Sequence, residues 1–173
     1  DCAPPSTAAS ASIAVRTMFT SGCCAVSVDP AVCTWNRSII DFASRAELIA
    51  NGLDMRAGDE VLMSDEEHAS GEQPWNLRAK RCGIVVKKFA MPTPPKSPAD
   101  ILNRINDAIT PRTRIIFVSH VSTHSGVVLP VKEIAALARS KGILSAFDGA
   151  HAPGMMKLDI QGIGCDIYTG SLH

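Results

Sequence analysis

The chain has 173 residues, 46% of them hydrophobic and 20% charged, and its 17 Lys and Arg balance 17 Asp and Glu. This is the composition of a globular domain long enough for a sizeable core, not of a disordered segment. The absence of net charge gives no general attraction to nucleic acid or to an acidic membrane surface. No apolar run approaches the roughly 20 residues that span a bilayer, and residues 1–10 lack the charged and apolar regions of a signal peptide. The six cysteines show no CxxC pair and no metal spacing with histidine. Reduced thiols in a cytoplasmic protein, and no metal site, are therefore expected. With no initiator methionine, the chain reads as a piece of a longer protein.

Residues 1–30 carry the least pattern; 12–19 suit a helix, and Asp29-Pro30 marks a turn. Residues 31–35 have strand propensity. Phe42, Ala46, Ile49, Ala50 and Leu53 then recur at helical spacing, with Asn51 and Gly52 as a stop signal. A turn over 55–59 leads into a strand over 60–64, the acidic run Asp65, Glu66, Glu67, and then His68. Pro74 and Trp75 open a short helix to Arg81, proline being favoured in a first turn. A strand over 83–89, a proline-rich surface loop over 91–98 and an amphipathic helix over 100–109 follow. Residues 114–119, Arg-Ile-Ile-Phe-Val-Ser, form the continuous apolar run of a strand buried on both faces. Beyond the loop 120–126, a helix over 130–141 ends at Gly142, and a second short apolar strand occupies 142–147. It delivers Asp148 to its carboxyl end, with His151 three residues on. A last strand over 165–168 runs into Gly170, Ser171 and His173. This alternation predicts an α/β fold, a mostly parallel sheet with helices on both faces.

In such sheets ligands lie in the crevice outside the carboxyl ends of the strands. Ala43 and Ser44 at a helix start, His68, Thr123, Asp148 with His151, and Ser171 with His173 all follow strands on that side. Taken singly, an Asp after a strand is an ordinary turn residue, and a histidine after an acidic run an ordinary surface group. His120 reads as a satisfied structural histidine. No GxGxxG follows the first strand, which disfavours a dinucleotide site, and no serine sits in a GxSxG elbow.

Their order is more specific. Gly-Asp-Glu-Val-Leu (58–62), Glu-His-x5-Pro-Trp (67–75), Ser-His-Val-Ser…Gly (119–126), Asp-Gly-Ala-His-Ala-Pro-Gly (148–154) and Asp-x-Tyr-Thr-Gly-Ser-x-His (166–173) come in succession. This pattern resembles the class V aminotransferase family, which includes cysteine desulfurases and isopenicillin N epimerase-like proteins, over roughly residues 30–173. The resemblance implies a partial pyridoxal-phosphate-binding large domain of fold type I over 31–173, with residues 1–30 unassigned and the C-terminal small domain beyond the chain. It implies a homodimer acting on an amino acid or amine, with neither nucleic acid nor membrane as partner. Asp148 would keep the cofactor's ring nitrogen protonated, and His68 would stack on the ring. Thr123 and His151 would lie near its phenolic oxygen, and Ala43, Ser44, Ser171 and His173 would hold its phosphate. Desulfurases of the family carry Asn and Gln where this chain has Thr123 and His151, so aminotransferase or epimerase-like chemistry is expected over desulfurase chemistry. The family's Schiff-base lysine would be the residue after His173, so the chain by itself is expected to be inactive. A truncated relative serving as an interaction module is the non-enzymatic alternative.

Overall fold

The computed structural model describes residues 26–28 and 42–170. The helix expected at 12–19, the strand expected at 31–35, and Ser171 and His173 lie outside them. The elements run β1 (Val26–Val28), α1 (Phe42–Gly52), β2 (Glu60–Ser64), α2 (Ala69–Cys82), β3 (Val85–Phe89), α3 (Pro98–Ala108), β4 (Thr113–Ser119), α4 (Val131–Ser140), β5 (Leu144–Gly149), α5 (Ile160–Ile163) and β6 (Ile167–Gly170). They form one sheet in the order β1-β6-β5-β4-β2-β3. Every pairing is parallel except that of β1 with β6.

Successive side chains of a strand face opposite sides of the sheet, so a strand covered on both sides must be apolar throughout. On one face Leu62, Ile116, Val118 and Phe147 pack with Ile101 and Ile105 of α3 and with Ile134 and Ala138 of α4. On the other, Val61, Met63, Ile115, Phe117 and Ala146 pack with Ala46 and Ile49 of α1 and Trp75 of α2. The division follows from handedness. Parallel crossovers are right-handed, so reversing the direction in which strands are added moves the connecting helix to the opposite face. The step from β2 out to β3 carries α2. The steps back past β2 to β4, and on to β5, carry α3 and α4. Arg78 of α2 is buried and donates to the carbonyls of Ala50 and, at 2.6 Å, Leu53. It thus satisfies groups that the end of α1 leaves without helical partners.

Several elements differ from expectation; β3 and β5 each begin two residues later than expected, at Val85 and Leu144, and β5 runs on to Gly149. Helix α2 begins at Ala69, five residues before Pro74, because the His68 side chain accepts the Ser70 N–H and caps it. Strand β6 starts later than expected, Asp166 being held at the start of β5 by the N–H and hydroxyl of Ser145, both at 2.8 Å. The short β1 and α5 carry no periodicity long enough to read. Cys82 is disulfide-bonded, against the reduced thiol expected. Cys165 is a free thiol, and burial pushes its pKa up to about 11, which makes it a poor nucleophile. No helix among the described residues is long and apolar enough to cross a membrane.

Two buried contacts generate tests. A Cβ on Gly149 would stand 2.3 Å from the Tyr168 ring, which His120 holds by a 2.7 Å hydrogen bond. Gly149→Ala should therefore destabilise the protein by about 1–3 kcal/mol, measured by chemical denaturation. At the start of β2, burial works to raise the Glu60 pKa, but hydrogen bonds from Thr110 and Thr113 and the charges of Lys87 and Arg112 outweigh it and leave the value lowered. A lowered carboxyl pKa contributes stability above the unfolded-state value and loses it as pH falls. Glu60→Gln should cost roughly 1 kcal/mol at neutral pH after solvent screening. That difference should shrink as denaturation is repeated at pH values falling through the ordinary glutamate range.

Candidate active site at the strand switch point

Strand β2 has β3 on one side and β4 on the other. The loops leaving β2 and β4 therefore part company, and such a parting opens a crevice at the carboxyl ends of the strands. A cavity of about 210 Å³ lies there, lined by His68, Ser119, Val121, Thr123, Asp148, Ala150 and His151. Four sequence candidates, His68, Thr123, Asp148 and His151, are thus brought together from the ends of three different strands. Ala43 and Ser44 fall in the first turn of α1.

Asp148, 5% exposed, ends the buried run of β5. Its Oδ1 accepts the Ala150 N–H at 2.9 Å, and its carbonyl accepts the His120 N–H at 2.7 Å. The first turn of α2 comes close by: a Cβ on Gly71 would lie 3.8 Å from Asp148 Oδ2 and 3.4 Å from the Phe117 ring. His68 is exposed and caps α2. Its Nδ1 accepts the Ser70 N–H at 3.2 Å and lies 2.6 Å from Ser70 Oγ. A backbone N–H can only donate, so this bonding assigns the proton of the neutral ring to Nε2. Thr123 and His151 are exposed at the rim.

His120 is buried as expected, 2.7 Å from the Tyr168 hydroxyl with the rings edge to face. Burial pushes its pKa down and that of Tyr168 up, so both stay neutral in a structural pair. His124 donates from Nδ1 to the Glu66 carbonyl at 3.1 Å. Among the described residues no group of His, Cys, Asp or Glu is placed to hold a metal ion.

The acidic run before His68 is a set of ties rather than a solvated cluster. Asp65 Oδ1 accepts the Met91 N–H at 2.9 Å. The Glu66 carboxylate accepts the hydroxyls of Ser122, Ser125 (2.5 Å) and Thr93 (3.2 Å). Burial raises the Glu66 pKa, but these bonds outweigh it and leave the value lowered. Glu67, 5% exposed, accepts the hydroxyls of Ser64 and Ser119, each at 2.6 Å, and the Ser119 N–H at 3.1 Å. There burial wins, and the pKa is raised. Sequence reasoning missed Glu67 and Ser119. The signal available was the place of Glu67 in the Glu-His-x5-Pro-Trp stretch.

Residues 43–173 match the family model described as Aminotransferase class-V. The chain is 41% identical over 126 residues to isopenicillin N epimerase of Streptomyces clavuligerus, covering 73% of this chain and 32% of that protein. It is 34% identical over 119 residues to a probable cysteine desulfurase of Xylella fastidiosa, covering 69% and 28%. It thus spans about a third of the length of the curated relatives it matches. The structure of the cystine C-S lyase C-DES in complex with its reaction product cysteine persulfide aligns with a TM-score of 0.69 at 27% identity, over 77% of this chain and 36% of that one. The cysteine desulfurase CsdA of Escherichia coli, at 24% identity and a TM-score of 0.67 over 75% and 33%, shares the fold. With most of its residues under one family model and the expected α/β sheet in place, the chain belongs to the class V aminotransferase family.

Proposed function

We propose that the complete protein is a pyridoxal-phosphate-dependent enzyme working at the α-carbon of an amino acid or related amine. Epimerase- or aminotransferase-type chemistry is favoured over desulfurisation. The observation that carries this reading is the convergence of His68 and Asp148, from different strands, on one cavity at the switch point. The residues fit pyridoxal 5′-phosphate. Asp148, buried at the end of β5, is the one carboxylate among the lining residues, a partner for a protonated ring nitrogen. When bound, the cofactor supplies an electron sink for the pair left on the α-carbon. Asp148 would hold a proton at the ring nitrogen, the condition for that sink to work. The His68 ring, its Nδ1 committed to Ser70, would pack against the cofactor ring. Thr123 and His151, at the rim, would lie toward the phenolic oxygen and the incoming substrate. The N–H groups of Ala43 and Ser44 at the start of α1 suit the phosphate, together with Ser171 and His173. The reading requires a lysine next after His173, with a small domain and a second subunit to complete the site in the whole protein.

The preference for epimerase-like chemistry draws support from Thr123 and His151 and from the higher identity to the epimerase, 41% against 34%. The C-S lyase structure and the desulfurase relative favour a second reading, cleavage of a sulfur substituent from cysteine. Incubating the full-length protein with cysteine in deuterated water separates the two. Deuterium entering the α-position without sulfide release supports the first, and stoichiometric sulfur release the second.

The full-length protein with added pyridoxal phosphate should show a visible absorption band that borohydride abolishes while fixing the cofactor to the residue after His173. A folded protein with no band overturns the reading. Asp148→Ala should keep the band but lower kcat roughly a hundredfold or more; unchanged turnover would remove Asp148 from the mechanism.

A further inference from the structure

Two buried glutamates tie β2 to β4, one at each end. Where the strands begin, Glu60 accepts the hydroxyls of Thr110 and Thr113 at 2.5 and 3.1 Å. Where they end, Glu67 accepts three donors from Ser64 and Ser119. The ends of β2 are about 13 Å apart at roughly 3.3 Å per residue, and only the second glutamate is near the cavity.

The two ties differ in what surrounds them. The β2–β4 ladder pairs Glu60 with Thr113, Val61 with Ile115 and Leu62 with Ile116. No β4 partner follows for Met63 or Ser64, whereas β4 continues beside β5 as far as Ser119 opposite Asp148. The crevice therefore opens where β2 and β4 have ceased to share backbone hydrogen bonds. Glu67 spans this opening. One peptide bond joins it to His68, its carboxylate grips Ser119, and Ser119 lies beside Asp148 in register. The line His68–Glu67–Ser119–Asp148 crosses from β2 to β5 without a gap. A buried carboxylate gripped by three donors is directional in a way that an apolar contact is not.

We propose that Glu67 is a positioning residue of the cofactor site: it bridges the opened ends of β2 and β4 and so sets the spacing between His68 and Asp148 into which the ligand's ring fits. This rests on the pyridoxal-phosphate reading above. The Ser64 and Ser119 hydroxyls both point their hydrogens at Glu67, so removing either the carboxylate or Ser119 Oγ slackens the same link.

The test is a titration of the full-length protein with pyridoxal phosphate, followed by visible absorption and paired with thermal unfolding of each cofactor-free variant. Glu67→Gln and Ser119→Ala should each weaken cofactor binding roughly tenfold or more. The double variant should be no weaker than the worse single, because both act through one interaction. Glu60→Gln, which loosens the same strand pair at its far end, should lower the melting temperature yet keep cofactor affinity within about twofold. Should Glu67→Gln and Ser119→Ala bind the cofactor as well as Glu60→Gln does, Glu67 serves strand pairing alone and the assignment falls. If Glu67→Gln does not fold, Ser119→Ala decides by the same criterion. A wild-type protein that takes up no pyridoxal phosphate overturns the functional reading itself, and this assignment with it.

Discussion

Where β2 lies against β4, the chain changes the direction in which it adds strands, and most of the architecture follows from that junction. The step outward to β3 and the step back past β2 require helices on opposite faces. The sheet is therefore covered on both sides, and the middles of its central strands must be apolar on both faces, polar residues being kept to their ends or tied by hydrogen bonds. The same reversal sends the loops after β2 and β4 in different directions. A cavity forms between them, and the residues that end those strands, with the end of β5, become its walls. Burial of Val61, Leu62, Ile115, Ile116, Phe117 and Val118 makes the junction rigid; the gap beyond Leu62 makes it useful.

The parts of the fold legible in the sequence are those that this arrangement makes repetitive. A strand buried on both faces is an unbroken apolar run, and β2 and β4 could be bounded to within a residue. α1 and α4, each packing one side on the sheet, could be bounded nearly as well. Misreadings arose where a local signal was outweighed by a rarer one. Pro74 commonly marks a first turn, but here the capping group is an imidazole six residues earlier, and the proline sits inside the helix. β1, of three residues, is defined only by pairing with a strand near the other end of the chain.

The candidate site divides in the same way. Asp148, His68, Thr123 and His151 could be nominated because a general rule places strand ends at one crevice. Glu67 could not, since a run of three acidic residues reads as solvated until Ser119, 52 residues on, is known to arrive beside it. Its burial is a tertiary fact. Reaction type is less legible still. Relatives bearing the same fold are named epimerase, desulfurase and C-S lyase, so the scaffold does not choose among them.

Strand β3 ends the sheet order, with Lys87 and Lys88 side by side near its close. Consecutive residues face opposite sides of a strand, so an ammonium group stands on each side of this border, Lys88 answered by Glu72 at 2.8 Å. An outer strand otherwise presents a row of backbone groups to any passing extended segment. A second copy laid along β3 in a register that sets these lysines opposite one another would suffer the repulsion of like charges across a strand pair. The two charges thereby disfavour the merging of copies into one continuous sheet along that border in those registers.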